Sequence, residues 1–134
     1  MLGESINNSS GGKPLELDLV ENQDTVFCRV ATIDIGTNST HLLIAKLEPN
    51  LNTFSIELAE KSTTRLGERD PDTGDLTALA MNRAFLTLKR FKDLSESYKV
   101  ESLIIAATSA VREAPNGRSF IAEIKKKIGL DVEL

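Results

Sequence analysis

Residues Ile33 to Ser39 read Ile-Asp-Ile-Gly-Thr-Asn-Ser, and this heptad holds most of the chemistry legible in the chain. An apolar strand delivers Asp34 near its end, and Gly36 then lets the backbone turn sharply enough to present the amides of Thr37, Asn38 and Ser39 to a ligand. Hydroxyl and amide side chains surround those donors. Such a corner suits an anion rich in acceptor oxygens with a hydrated metal beside it, because N–H groups and small side chains can approach phosphate closely. Phosphate is the expected ligand.

A second cluster follows the apolar run Leu103 to Ala107, where Thr108, Ser109 and Ala110 allow close backbone approach and Arg112 supplies a planar, multidentate donor. Ligands favour the carboxyl ends of strands in open α/β sheets, so Arg112 is the candidate phosphate clamp, against a plain surface ion pair with Glu113. Other chemistry finds less support. His41 is the sole histidine and reads as a hydrogen-bonded strand neighbour, leaving Ser39 and Ser109 without a base for nucleophilic catalysis. Asp70-Pro71-Asp72-Thr73-Gly74-Asp75 superficially suggests a calcium loop, but its glycine and the position of Met81 break the EF-hand spacing, so a turn is expected. Lys125 to Lys127 falls where cations complement a helix end.

The elements that must position these groups follow from periodicity. Arg29–Ile35 alternates and is rich in β-branched residues, and Thr40–Leu47 resumes after the corner, predicting a hairpin. Pro49, Asn50 and Asn52 interrupt it before a third strand over Phe54–Glu60. From Thr77 to Tyr98 the apolar residues Met81, Ala84, Phe85, Leu88, Phe91, Leu94 and Tyr98 recur at three and four, the mark of an amphipathic helix. Leu103–Ala107 reads as a central parallel strand buried on both faces. Asn116 is placed to cap a second helix with Phe120, Ile121, Ile124 and Ile128 on its buried stripe, and Gly129 to end it. Leu130–Leu134 predicts a last strand. The expected order is β-β-β-α-β-α-β, an α/β sheet with helices against it.

Composition narrows the class. The chain has 134 residues and one cysteine, Cys28, so it forms no internal disulfide, and a dedicated thiolate metal cluster is excluded. Residues 1–27, with Asn7 to Gly12 and scattered acids, read as a disordered leader to a domain spanning 28–134. The leader's acids account for the net charge of −4, leaving a balanced body without the extended basic field of a nucleic-acid binder. No secretory signal is evident and no stretch approaches the ~20 apolar residues of a membrane span, so a cytoplasmic chain without membrane partners is expected.

Three segments in order carry a specific resemblance: Ile33–Ser39 followed by Leu42-Leu43-Ile44, then Thr64-Arg65-Leu66-Gly67-Glu68, then Ala107 to Gly117. Over residues 29–134 the chain resembles the amino-terminal part of the exopolyphosphatase and guanosine pentaphosphate phosphohydrolase (Ppx/GppA) family. That resemblance implies a ribonuclease-H-like partial domain of the actin-like ATPase superfamily. It also implies that Asp34 faces Mg2+ through water, and that Gly36, Thr37, Asn38, Ser39, Thr108, Ser109, Arg112 and Arg65 bind phosphate. Arg69 departs from the glycine that many members carry. The implied substrates are polyphosphate or guanosine pentaphosphate and tetraphosphate, and the full-length protein is expected to form a homodimer. The family's water-activating glutamate is expected beyond Leu134, and neither Glu113 nor Glu123 matches it, so this piece alone is expected to be inactive and, with an open sheet edge, to self-associate. Two alternatives remain open: a non-catalytic, regulatory module that binds phosphate compounds, and a kinase-type relative of the same superfamily.

Overall fold

The computed structural model describes residues 26–134, so all but the last two positions of the expected leader lie outside it. β1 (Cys28–Ile35) and β2 (Ser39–Glu48) form the anticipated hairpin, in antiparallel register from Ile35 opposite Thr40 to Cys28 opposite Leu47. Alternation decides their faces: Ala31, Ile33, Ile35, Thr40, Leu42 and Ile44 are buried, whereas Thr32, Asp34, His41 and Leu43 lie on the opposite, open face. A short 3-10 turn at Pro49–Leu51, closed by Asn52 in the left-handed region at φ 53°, leads into β3 (Thr53–Thr63). The sheet order is β3-β2-β1-β4, with β4 (Ser102–Ala107) parallel to β1.

The parallel pairing needs a crossover, which α1 (Ala78–Ser97) supplies. Thr77 caps it by accepting from the Ala80 amide at 3.1 Å, and Ala80, Ala84, Thr87, Leu88, Phe91 and Ser95 form its buried stripe. The chain leaves β4 through a five-residue helix, α2 (Ser109–Glu113), and continues as α3 (Gly117–Ile128), which Gly129 terminates at φ 80°. Phe85 of α1 meets Phe120 of α3 edge to face, 5.3 Å between ring centroids. Phe91, Phe120, Ile33, Leu42, Leu88 and Ile105 are among the fully buried side chains of the single core cluster.

The structure departs from the sequence expectations in several places. The last strand is reduced to one parallel bridge between Ala106 and Glu133, made by Ala107 N–H to Glu133 O at 2.8 Å and Glu133 N–H to Ile105 O at 2.9 Å. β4 borders β1 on one side and only this bridge on the other, so it is not central among the described strands. Nor is it buried on both faces: Ile105 is buried but Ile104 is 53 % exposed, because Ile104 lies on the open face that also carries Thr32 and Asp34. α2 is not separable from the strand end by periodicity, being shorter than two helical turns. Asn116 precedes α3 but makes no side-chain cap, its amide being used elsewhere.

Candidate functional site

Three chain segments meet at the carboxyl ends of β1 and β4. The first is the hairpin turn, closed by the Gly36 amide donating to Ser39 O at 3.0 Å; a Cβ on Gly36 would stand 2.9 Å from that oxygen, so a turn this tight requires glycine. The second is the chain leaving β3, which wraps the turn. Asn38 O accepts from the amides of Thr64 at 3.1 Å and Arg65 at 3.0 Å, and Thr37 O accepts from Gly67 at 2.8 Å. Arg65 takes a left-handed φ of 54° to do this. The third is the β4–α2 junction: the Thr108 amide donates to Ile35 O at 3.1 Å, and Ser109 Oγ lies 3.4 Å from Thr37 Oγ1.

The sequence-predicted residues Gly36, Thr37, Asn38, Ser39, Thr108 and Ser109 thus meet at one corner, with Arg65 in the loop that wraps the turn and Arg112 on α2, its amide donating to Thr108 O at 3.0 Å. Its donors are largely unspent. The amides of Thr37 and Asn38 find no acceptor among the described residues, and neither Arg65 nor Arg112, both exposed, has a side-chain partner there. The alternative ion pair of Arg112 with Glu113 does not form. Exposed cations and free amides around small hydroxyl side chains are what an oxyanion with several acceptor positions can engage.

Asp34 stands two residues before the turn, on the open sheet face opposite His41 and Ala106. A depression of about 430 Å³ there is lined by Thr32, Asp34, His41, Leu43 and Lys61, among others. The Asp34 carboxylate has no protein partner among the described residues, and no group of three or more His, Cys, Asp or Glu among them is placed to hold a metal. A lone carboxylate can contribute to a Mg2+ site only together with waters and substrate phosphates, since that ion keeps several waters and takes one or two carboxylates. His41 is exposed and its imidazole makes no hydrogen bond among the described residues, unlike the hydrogen-bonded neighbour expected.

Supporting residues were less visible beforehand. Buried Thr40 and Thr64 share a hydroxyl hydrogen bond of 2.9 Å beneath the corner. Arg83 of α1 donates to Thr64 O at 3.0 Å and pairs with Glu68, holding the loop from behind. Asp70 accepts from the amides of Asp72 at 2.8 Å and Thr73 at 2.9 Å, which makes the segment a turn; these bonds, that of Thr73 foremost, hold its carboxyl below the usual range. Asn116 closes on Leu76 with both ends of its amide, accepting at 2.8 Å and donating at 3.1 Å. Arg83 carried no local signal at all, since its partners lie on a different element.

The family profile described as "Ppx/GppA phosphatase family" matches residues 43–134, beginning just after the Asp34 to Ser39 segment. The chain belongs to the Ppx/GppA phosphatase family, whose members have an actin-like ATPase/ribonuclease-H-like fold. It is similar to a solved Ppx/GppA family member from Aquifex aeolicus, with a TM-score of 0.76 and 36 % identity over 81 % of this chain and 35 % of that one. An exopolyphosphatase from Cytophaga hutchinsonii gives a TM-score of 0.72 and 38 % identity over 78 % of this chain and 33 % of its own. Exopolyphosphatase 1 of Mycobacterium tuberculosis is 27 % identical over 105 residues, which are 78 % of this chain and 30 % of that protein. The chain therefore spans about a third of the length of these three relatives.

Proposed function

We propose that this chain supplies the phosphate-binding corner of an exopolyphosphatase-like hydrolase that removes terminal phosphate from polyphosphate or guanosine pentaphosphate. The observation that carries this reading is the approach of Thr37 to Ser109, which joins the Gly36–Ser39 turn to the segment bearing Arg112. In this assignment the turn amides and the hydroxyls of Thr37, Ser39, Thr108 and Ser109 orient the phosphoryl oxygens, Arg112 clamps them from one side and Arg65 from another. Asp34 would hold hydrated Mg2+, which when bound offsets phosphoryl charge. Arranging the group for in-line attack by water is then a matter of positioning and electrostatics.

A second reading, binding without turnover by this chain alone, is favoured by one feature of the corner. Glu68, the carboxylate within its loop, is taken up by its ion pair with Arg83 rather than left free to activate an attacking water as a general base must. Calorimetry with linear tripolyphosphate and with guanosine tetraphosphate, with and without Mg2+, tests the binding assignment. Arg112→Ala should weaken both by about tenfold or more, the scale of a lost charged hydrogen-bond pair. Unchanged affinity refutes the clamp. A phosphate-release assay on the same samples separates the two readings, background release being the result expected of the 134-residue chain.

A further inference from the structure

Arg69 does not touch the turn, yet the structure commits its guanidinium to two backbone carbonyls: Nη1 donates to Gly74 O at 3.1 Å and Nη2 to Ala110 O at 2.6 Å. We infer that Arg69 is a positioning residue that locks α2, and through it Arg112, against the phosphate corner; this rests on the reading of Arg112 as a phosphate ligand.

α2 cannot hold its own place. A helix of five residues lies far below the length that is stable by itself, so its pose is set from outside. The Thr108 amide fixes its entry on Ile35. Arg69 grips it one residue past its start, at Ala110, and Asn116 grips Leu76 just beyond its end. Both grips come from one stiff loop. Arg69 and Leu76 form an antiparallel bridge, Asp70 N–H donates to Asp75 O at 2.8 Å, Gly74 N–H donates to Asp70 O at 2.8 Å, and the Asp70 carboxylate ties down the tip. The loop of residues 69–76 is thus a brace along the segment that carries Arg112.

The cost of this arrangement argues that the fork matters. Arg69 has no carboxylate partner among the described residues, and its Nε is buried without an acceptor. Leaving a buried charged donor unsatisfied is unfavourable, so a cation kept only to solvate a surface loop would gain more by turning outward to water. Two N–H donors of one planar fork, each on its own carbonyl from a different segment, is a geometry that guanidinium provides and ammonium does not.

The test is a double-mutant cycle in the full chain, reading tripolyphosphate affinity by calorimetry and amide exchange by mass spectrometry or NMR. Arg69→Ala should weaken tripolyphosphate binding about tenfold when Arg112 is present and less than about twofold in an Arg112→Ala background, because the two act through one contact. Arg69→Lys should behave like Arg69→Ala, since it keeps the charge and loses the fork. Independently of ligand, Arg69→Ala should speed exchange of the Arg112 and Ala114 amides about tenfold while β1 and β2 amides stay protected. Equal affinity losses in both backgrounds, rescue by lysine, or unchanged exchange in α2 each overturn the inference. A wild-type chain that ignores tripolyphosphate defeats the phosphate reading, and the ligand-independent exchange arm then decides the brace by itself: faster α2 exchange in Arg69→Ala upholds it and unchanged exchange overturns it. Should Arg69→Ala lose its native circular dichroism, Arg69→Gln takes its place, with the same readouts and the same expected losses.

Discussion

Gly117→Ala should be among the most damaging single-atom changes available in this chain. A Cβ at Gly117 would lie 1.9 Å from Val111 O and 3.0 Å from its carbonyl carbon, so the backbones of α2 and α3 would have to separate by about 1.1 Å to reach even the 3.0 Å limit seen for real Cβ atoms. Neither side can give easily, because Val111 is 1 % exposed and Phe120, three residues into α3, is equally buried. Overpacking of this kind costs roughly 1–3 kcal/mol, while alanine returns up to about 1 kcal/mol of helix propensity, which counts least at a first helical position. The expected net loss is about 2 kcal/mol, or about 1 M in urea midpoint at an m value near 2 kcal/mol/M. Because the displaced carbonyl belongs to the residue before Arg112, tripolyphosphate affinity should fall with it. Urea titration followed by circular dichroism reads the first effect and calorimetry the second. Gly74→Ala is the control: at φ 78° it is strained, but its nearest contact is Pro115 Cδ at 3.9 Å, so a loss of about 1 kcal/mol is expected without a clash. A Gly117→Ala chain as stable as wild type would refute the close approach of α2 and α3.

Further outcomes follow from the same contacts. Arg118 is exposed on α3 without a side-chain partner among the described residues, so Arg118→Ala should leave tripolyphosphate affinity within about twofold of wild type while Arg112→Ala does not; equal losses would contradict the clamp. Phe91→Ala removes a fully buried ring and should cost about 3–5 kcal/mol by thermal or urea unfolding, a loss under about 1 kcal/mol being incompatible with its place in the core. The folded pKa of Asp70 is lowered, first by the Thr73 amide and then by that of Asp72. Its contribution is therefore full above the unfolded carboxylate pKa of about 4 and lost as pH falls through the lower folded value. The stability advantage of wild type over Asp70→Asn should thus shrink on acidification, and an advantage that grows would reverse the assigned sign. Asn116→Ala leaves the Leu76 amide and carbonyl without their side-chain partner and should cost about 1–3 kcal/mol in urea unfolding, well above the loss of an unused cap.

The parts of the fold written locally were legible. Alternation over Arg29–Ile35 and Thr40–Leu47 placed β1 and β2 to within a residue, and the three-and-four spacing from Met81 to Tyr98 located α1, because each pattern is repeated over enough residues to fix a period. The corner was legible for a similar reason: Gly36 with its small polar neighbours demands a tight turn whatever surrounds it. What failed was tertiary. An asparagine ahead of a helix reads as a cap, but Asn116 finds a better partner in Leu76, forty positions away. The unbroken apolar run of β4 reads as burial on both faces, whereas Ile104 lies on the open one. Arg69 and Arg83 support the site through backbone carbonyls of other elements, and a carbonyl leaves no trace in residue type.

The central claim is that the turn after Asp34 and the segment leading to Arg112 form one oxyanion site, and chemical-shift mapping of backbone amides tests it most directly. Titration of the chain with tripolyphosphate and Mg2+ should move Gly36 to Ser39, Arg65 to Gly67 and Thr108 to Arg112 together with one affinity. Shifts confined to Lys125–Lys127 on α3, or two clusters titrating with unrelated affinities, would contradict it.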